Sequence, residues 1–162
     1  MPGNPRFQNK EIFVLPQFFT YFPKQQYKKG EIVIHAQEEP AGIFYLKSGI
    51  VKEYLLTAEG NVSIVNMFKQ NAFFPTSWAM NNTPNLFYFK TNTDCELHKA
   101  PKEATLTFLR ENPDVMYNLL SRVYKGTDGL LLRIAYLMSG NAYERLLIEL
   151  IIHAKRFGKQ GE

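Results

Sequence analysis

The residues from which a metal or nucleophilic centre would have to be assembled are few and scattered: His35, His98 and His153, with Cys95 as the single cysteine. A structural zinc site takes closely spaced Cys and His ligands. A cupin-type centre takes histidines and a carboxylate converging on one metal, and an iron–sulfur cluster takes about four cysteines. None of these sets can be drawn from this chain. The His-x-His pair of a cupin is missing, and a haem would have to rely on one isolated histidine. No Ser/His/Asp arrangement, Walker loop or dinucleotide fingerprint is present. The expectation is a non-catalytic binding module with no resident metal and no identified cofactor.

The lone cysteine excludes an intramolecular disulfide and fits a reducing, cytoplasmic setting. At 162 residues, with 45% hydrophobic and 14% aromatic content, the chain can fill one cored domain and carry an appendage. A formal net charge of +4 gives only mild attraction to nucleic acid or anionic lipid. No stretch approaches the roughly 20 apolar residues of a membrane span, and Met1 to Lys10 lacks the apolar core of a secretory signal, so no membrane partner is expected.

Positioning falls to two kinds of element. From Lys28 onward, β-rich runs alternate with turn residues, as in an all-β sandwich or barrel. They are Ile32 to His35, Ile43 to Leu46, Ile50 to Leu56, Val62 to Phe68, Asn85 to Thr91 and Cys95 to Lys99. The glycine turns Lys47-Ser-Gly49 and Ala58-Glu-Gly-Asn61 should each close a hairpin. Beyond Pro101 the period becomes helical. A short helix carries Leu106, Phe108 and Leu109, then Asn112, Pro113 and Asp114 give three start signals for a long one. Met116, Leu120, Val123, Thr127, Leu130, Ile134 and Leu137 follow alternating steps of four and three, the seam of two paired helices, which predicts a homodimer. Leu119, Leu131 and Leu132 lie off that seam and are expected to cover the barrel. Gly126 and Gly129 should admit close backbone approach. Asn141 caps a last helix, Ala142 to about Arg156, expected to bury Leu146, Leu147, Leu150 and Ile151 on one side.

The strings Tyr27-Lys-Lys-Gly-Glu31, Ile43-Phe-Tyr-Leu-Lys-Ser-Gly-Ile-Val51, Asn66-Met-Phe-Lys-Gln-Asn-Ala-Phe-Phe74 and Asn112-Pro-Asp114, in that order and before a heptad helix, resemble the Crp/Fnr family of transcription regulators. The resemblance implies a mainly β fold with C-terminal α: an antiparallel, cyclic-nucleotide-binding-like jelly-roll barrel followed by a long dimerisation helix. It further implies a helix-turn-helix that reads DNA. The domain plan is then a flexible arm over 1–11, a β-barrel sensor over 12–111, the dimerisation helix over 112–139, and the first helix of a truncated DNA-binding domain over 140–162. The rest of the DNA-binding domain is absent from this chain. Signal would pass from barrel to helix pair and onward through a hinge around Ser139-Gly-Asn141.

In members that bind cyclic nucleotides, the resemblance implies a cassette with a Gly-Glu pair and a later Arg-Ser or Arg-Thr. The glycine and backbone N–H groups cradle the phosphate, the glutamate accepts a ribose hydroxyl, and the arginine neutralises the charge. Here Pro75-Thr76 and Asn85-Leu86 stand at those positions, and no arginine lies between Arg6 and Arg110. The helix positions that would touch the base are Leu130 and Leu131, which cannot hydrogen-bond it. Binding of cAMP or cGMP is therefore not expected, since an unpaired buried phosphodiester is costly. A different small-molecule effector could be held by Phe74, Trp78 and Tyr88, with Thr76, Ser77, Asn81, Asn82 and Asn85 as polar groups. The alternative is a roll filled by its own side chains, serving as a ligand-independent protein–protein interaction module.

Overall fold

A computed structural model describes residues 11–158 of the chain. The arm expected over 1–11 falls, except for Glu11, outside the described residues, as do 159–162. The described elements are α1 (Glu11–Thr20), β1 (Lys24–Tyr27), β2 (Ile32–Ile34), β3 (Ile43–Ser48), β4 (Val51–Leu56), β5 (Val62–Phe68) and β6 (Ala72–Phe74). They continue with α2 (Thr76–Asn81), β7 (Tyr88–Thr91), β8 (Cys95–Ala100), α3 (Lys102–Glu111), α4 (Pro113–Ser139) and α5 (Ala142–Phe157). The chain divides into two compact units, one ending at Met116 and one starting at Tyr117.

In the first unit two antiparallel sheets, ordered β1-β8-β3-β6 and β2-β7-β4-β5, form the jelly roll. Alternation along the strands sends Phe44, Leu46, Phe74 and Leu97 from one sheet, and Ile34, Val51 and Phe89 from the other, into a shared core. The middle of that core is aromatic. Phe74 and Phe89 stack with ring centroids 5.0 Å apart, and Phe68 lies 4.9 Å from Phe74. Each fully buried ring contributes roughly 1.5–3 kcal/mol by leaving water. The first sheet's outer face is covered by α1, where Phe19 stacks on Tyr45 at 5.3 Å and Phe18 stacks on Phe108 of α3 at 4.2 Å. His98 is buried under this cover, its Nδ1 within 3.1 Å of the Phe22 carbonyl.

Two expectations about strands are corrected. Lys47-Ser-Gly49 does not close a hairpin: β3 pairs with β6 and β8, whereas β4 pairs with β5 and β7, so this turn carries the chain between sheets. Gly49 has φ +95°, and a Cβ there would run into the Asp94 carbonyl oxygen. The second turn does join the antiparallel pair β4 and β5, as expected. The run from Asn85 shrinks to Tyr88–Thr91, because Asn85 spends its amide on the turn before β7.

The Lys-Lys-Gly-Glu string is a turn pinned from two sides. Buried Thr91 accepts from the Glu31 N–H at 2.9 Å and donates to the Lys28 carbonyl at 2.6 Å, while Asp94 accepts from the Lys29 N–H at 2.9 Å. Asn112 closes α3 by donating to the Phe108 carbonyl at 2.7 Å, immediately before α4 begins at Pro113.

In the second unit α4 and α5 are joined by an Arg133–Glu149 ion pair. Asn141 and Glu144 form a reciprocal capping box that starts α5. The burial expected of Leu146, Leu147, Leu150 and Ile151 is not observed; all four are exposed, because none of the described residues packs over them. Leu131 and Leu132 are likewise exposed, so of the three off-seam leucines only Leu119 is covered. A Cβ at Gly126 or Gly129 would meet nothing within 4 Å, so neither glycine serves a close approach among the described residues.

Candidate small-molecule site

The short helix α2 is the element that positions the polar candidates. It buries Trp78 and ends on Asn82, whose left-handed backbone (φ +57°) returns its N–H to the Trp78 carbonyl. Across from it, at the start of α3, Lys102 places its ammonium 4.7 Å from the centre of the Trp78 ring and donates to Asn82 Oδ1. Beside this contact lies a cavity of about 410 Å³, walled by the 37–40 loop with Glu38 and Glu39, and by Trp78, Asn82, Asn85 and Lys102.

Three of the expected pocket residues, Trp78, Asn82 and Asn85, thus meet at one cavity. The others do not join them there. Phe74 is a core residue, 1% exposed. Asn81 accepts from the N–H and hydroxyl of Thr83, making a local turn at the surface. Thr76 is half-buried and Ser77 exposed. Tyr88 stacks on buried Tyr54 at 5.2 Å and does not line this cavity. Leu130 and Leu131 are exposed residues of the second unit.

For Asn85, which the resemblance in sequence sets at the arginine position, the surroundings define what it can do. Its amide donates to the carbonyls of His35 at 2.8 Å and Phe87 at 3.0 Å, while Oδ1 accepts from the Phe87 N–H at 3.3 Å. The Gln37 N–H in turn donates to the Asn85 carbonyl at 2.8 Å. The side chain is committed to holding two loops together and offers no charge to an anion.

Lys102, Glu38 and Glu39 were not singled out by sequence reasoning. Their only mark is charge next to proline, which many surface turns share. A second missed group is Glu53 of β4, hydrogen-bonded to Asn66 of the neighbouring strand. Burial pushes its carboxyl up to about 7, and the Asn66 bond offsets this only in part. Among the described residues, no group of three or more His, Cys, Asp or Glu side chains could hold a metal ion. No helix among them is long and apolar enough to cross a membrane.

The cyclic nucleotide-binding domain family matches residues 24–112, the interval from β1 through α3. No curated protein matches the chain. Among solved structures, the catabolite activator protein of Thermus thermophilus is 16% identical with TM-score 0.66, covering 79% of this chain; this chain spans 63% of that protein's length. CprK complexed with OCPA is 16% identical with TM-score 0.72, over 92% of this chain and 68% of that one. The sensor domain of the transcriptional regulator DNR from Pseudomonas aeruginosa is 26% identical with TM-score 0.58, over 73% of this chain and 83% of that one. On the matched interval and the two-sheet roll, the chain belongs to the cyclic nucleotide-binding domain family and has the sensor fold of Crp/Fnr-type transcription regulators.

Proposed function

We propose that the chain is the non-catalytic sensor and dimerisation part of a Crp/Fnr-like transcription regulator whose effector is not a cyclic nucleotide. The observation that carries the reading is Asn85. At the position of the phosphate-neutralising arginine stands a neutral amide already bonded to His35 and Phe87. A phosphodiester placed beside it would lose its hydration and meet Glu38 and Glu39 in the same cavity, where the one cation, Lys102, is already held over the Trp78 ring and bonded to Asn82. Calorimetric titration with cAMP and with cGMP tests the reading. The expected result is no saturable heat with either, and tight binding of either overturns it.

The remainder of the proposal is supported by α4. Its seam presents Leu120, Val123, Leu130, Ile134 and Leu137 uncovered, which a second copy would bury. An effector acts through such a pair only if it binds one arrangement of the helices better than the other, with bending placed at Gly140 between α4 and α5. DNA contact belongs to a helix-turn-helix outside these residues. A neighbour of the same fold, CprK, forms a complex with o-chlorophenolacetic acid, a small aromatic molecule, and this favours an effector of that size class. The ring-filled interior favours the second reading, an interaction module that needs no ligand. A thermal-shift screen separates the two, because a true effector stabilises the folded chain in proportion to its excess over Kd.

A further inference from the structure

The cavity beside Trp78 is lined by both signs of charge, and the two do not meet. Glu38 and Glu39 stand on the loop wall and Lys102 on the helix wall, and among the described residues no ion pair engages any of the three. Lys102 keeps its place without them, because it donates to Asn82 Oδ1 and its ammonium lies 4.7 Å from the centre of the Trp78 ring. A lysine ammonium has three N–H donors, so this contact leaves donors for an acceptor inside the cavity.

Both walls are set before anything enters. Gln37 takes a left-handed backbone at φ +66° and donates its N–H to the Asn85 carbonyl at 2.8 Å, while the Asn85 amide donates to the His35 carbonyl at 2.8 Å. Asn85 and Pro40 are buried, so the two acids are carried on a loop anchored on either side of them. Walls fixed in this way reduce the ordering that a ligand must impose. The rest of the lining includes Pro40, Pro84 and Leu86, and the volume of about 410 Å³ lies in the range that holds a small molecule.

We propose that this cavity binds a free α-amino acid with an apolar side chain. Its ammonium would meet Glu38 and Glu39, its carboxylate would take the open donors of Lys102, and its side chain would lie against Pro84 and Leu86. A simple anion of the same shape meets the two acids, and a simple amine meets Lys102. Only a ligand that carries both charges matches both walls. The inference deepens the sensor reading above and rests on it for the ligand's role as effector: the acids that turn away a phosphodiester are the ones that receive the ammonium.

The test uses the full chain at pH 7 with L-phenylalanine and two truncated probes: phenethylamine, which lacks the carboxylate, and 3-phenylpropionate, which lacks the amino group. Binding is read by calorimetry in the wild type, in Lys102→Met and in the double variant Glu38→Gln, Glu39→Gln. The expected result is saturable binding of phenylalanine to the wild type, with each probe at least about ten-fold weaker. In Lys102→Met the lead over phenethylamine disappears and the lead over 3-phenylpropionate stays, and in the double variant the reverse holds. These opposite losses separate direct contact from a general loss of fold, which would remove both leads together. No saturable binding of phenylalanine, a truncated probe that binds as tightly, or both leads unchanged in the variants overturns the proposal. Those outcomes leave the absence of cyclic-nucleotide binding standing, whereas tight cAMP binding would strike the sensor reading and leave the phenylalanine ratios intact.

Discussion

Glu53 gives the residue scale its clearest consequence. Its carboxyl titrates near 4.5 when exposed and at about 7 in the folded chain, chiefly because burial disfavours the charge. The folded state therefore holds its proton over a range where the unfolded chain has released it. The sign follows directly: this contribution to stability is complete below the unfolded value and is lost as pH rises through about 7. Allowing for solvent reaching the part-exposed side chain, the loss between pH 5 and pH 8 is expected to be on the order of 2 kcal/mol. Urea midpoints of wild type and Glu53→Gln at the two pH values check this. The wild type should fall relative to the variant, and parallel behaviour would show that the carboxyl is solvated. Little of this was visible in the string Val51-Lys-Glu-Tyr54, where acid and base alternate as they do on any surface strand. Only the pairing with Phe89 assigns Glu53 to the inside. Lys102 was hidden differently: a cation sought as the family's arginine is absent, and a lysine at a helix start carries no local signature of the tryptophan it covers.

Elements were legible where their own side chains specify them. β5 runs from Val62 to Phe68 as its β-branched alternation implies, and α4 begins at Pro113 where three start signals coincide. Three elements are specified from outside instead. β1, Lys-Gln-Gln-Tyr, has no apolar alternation and is a strand because β8 pairs with it along its length. α2 is too short to show a period, and α1 contains Pro16 but is held by Phe18 and Phe19 against α3 and β3. The turn after β3 belongs to the same class, since its sequence suits a hairpin and only the distant Asp94 backbone gives it another course. Gly49→Ala should therefore cost about 2 to 4 kcal/mol, from the positive φ and from displacing backbone at β8. Gly60→Ala, at φ +80° with nothing within 4 Å, should cost only about 1 kcal/mol. Equal costs by chemical denaturation would mean that the crossing from sheet to sheet does not depend on that contact.

At the scale of the whole molecule the two units meet their apolar surface in opposite ways. The roll closes its rings inside, with Phe74 at 1% and Phe89 at 2% exposure, and has no debt left to a partner there. The second unit does the reverse: Leu130 is 53% exposed and Ile134 43%, on a helix that also carries two glycines. Each glycine weakens a helix by about 1 kcal/mol relative to alanine, so twenty-seven continuous helical residues need support from packing. Thr127 is compatible with a buried seam, because its hydroxyl already donates to the Val123 carbonyl at 3.1 Å and would bring no unsatisfied group into it. A second copy of α4 is the simplest source of that packing, since every exposed seam residue would find an identical one across a two-fold axis. The chain is expected to sediment as a dimer at tens of micromolar. Ile134→Glu, which sets two carboxylates against each other at the axis, should release monomers while leaving the near-ultraviolet dichroism of the roll's aromatic residues unchanged. A wild-type chain that stays monomeric removes the seam, and a variant that loses the aromatic signal as well would show that roll and helix do not stand as separate units.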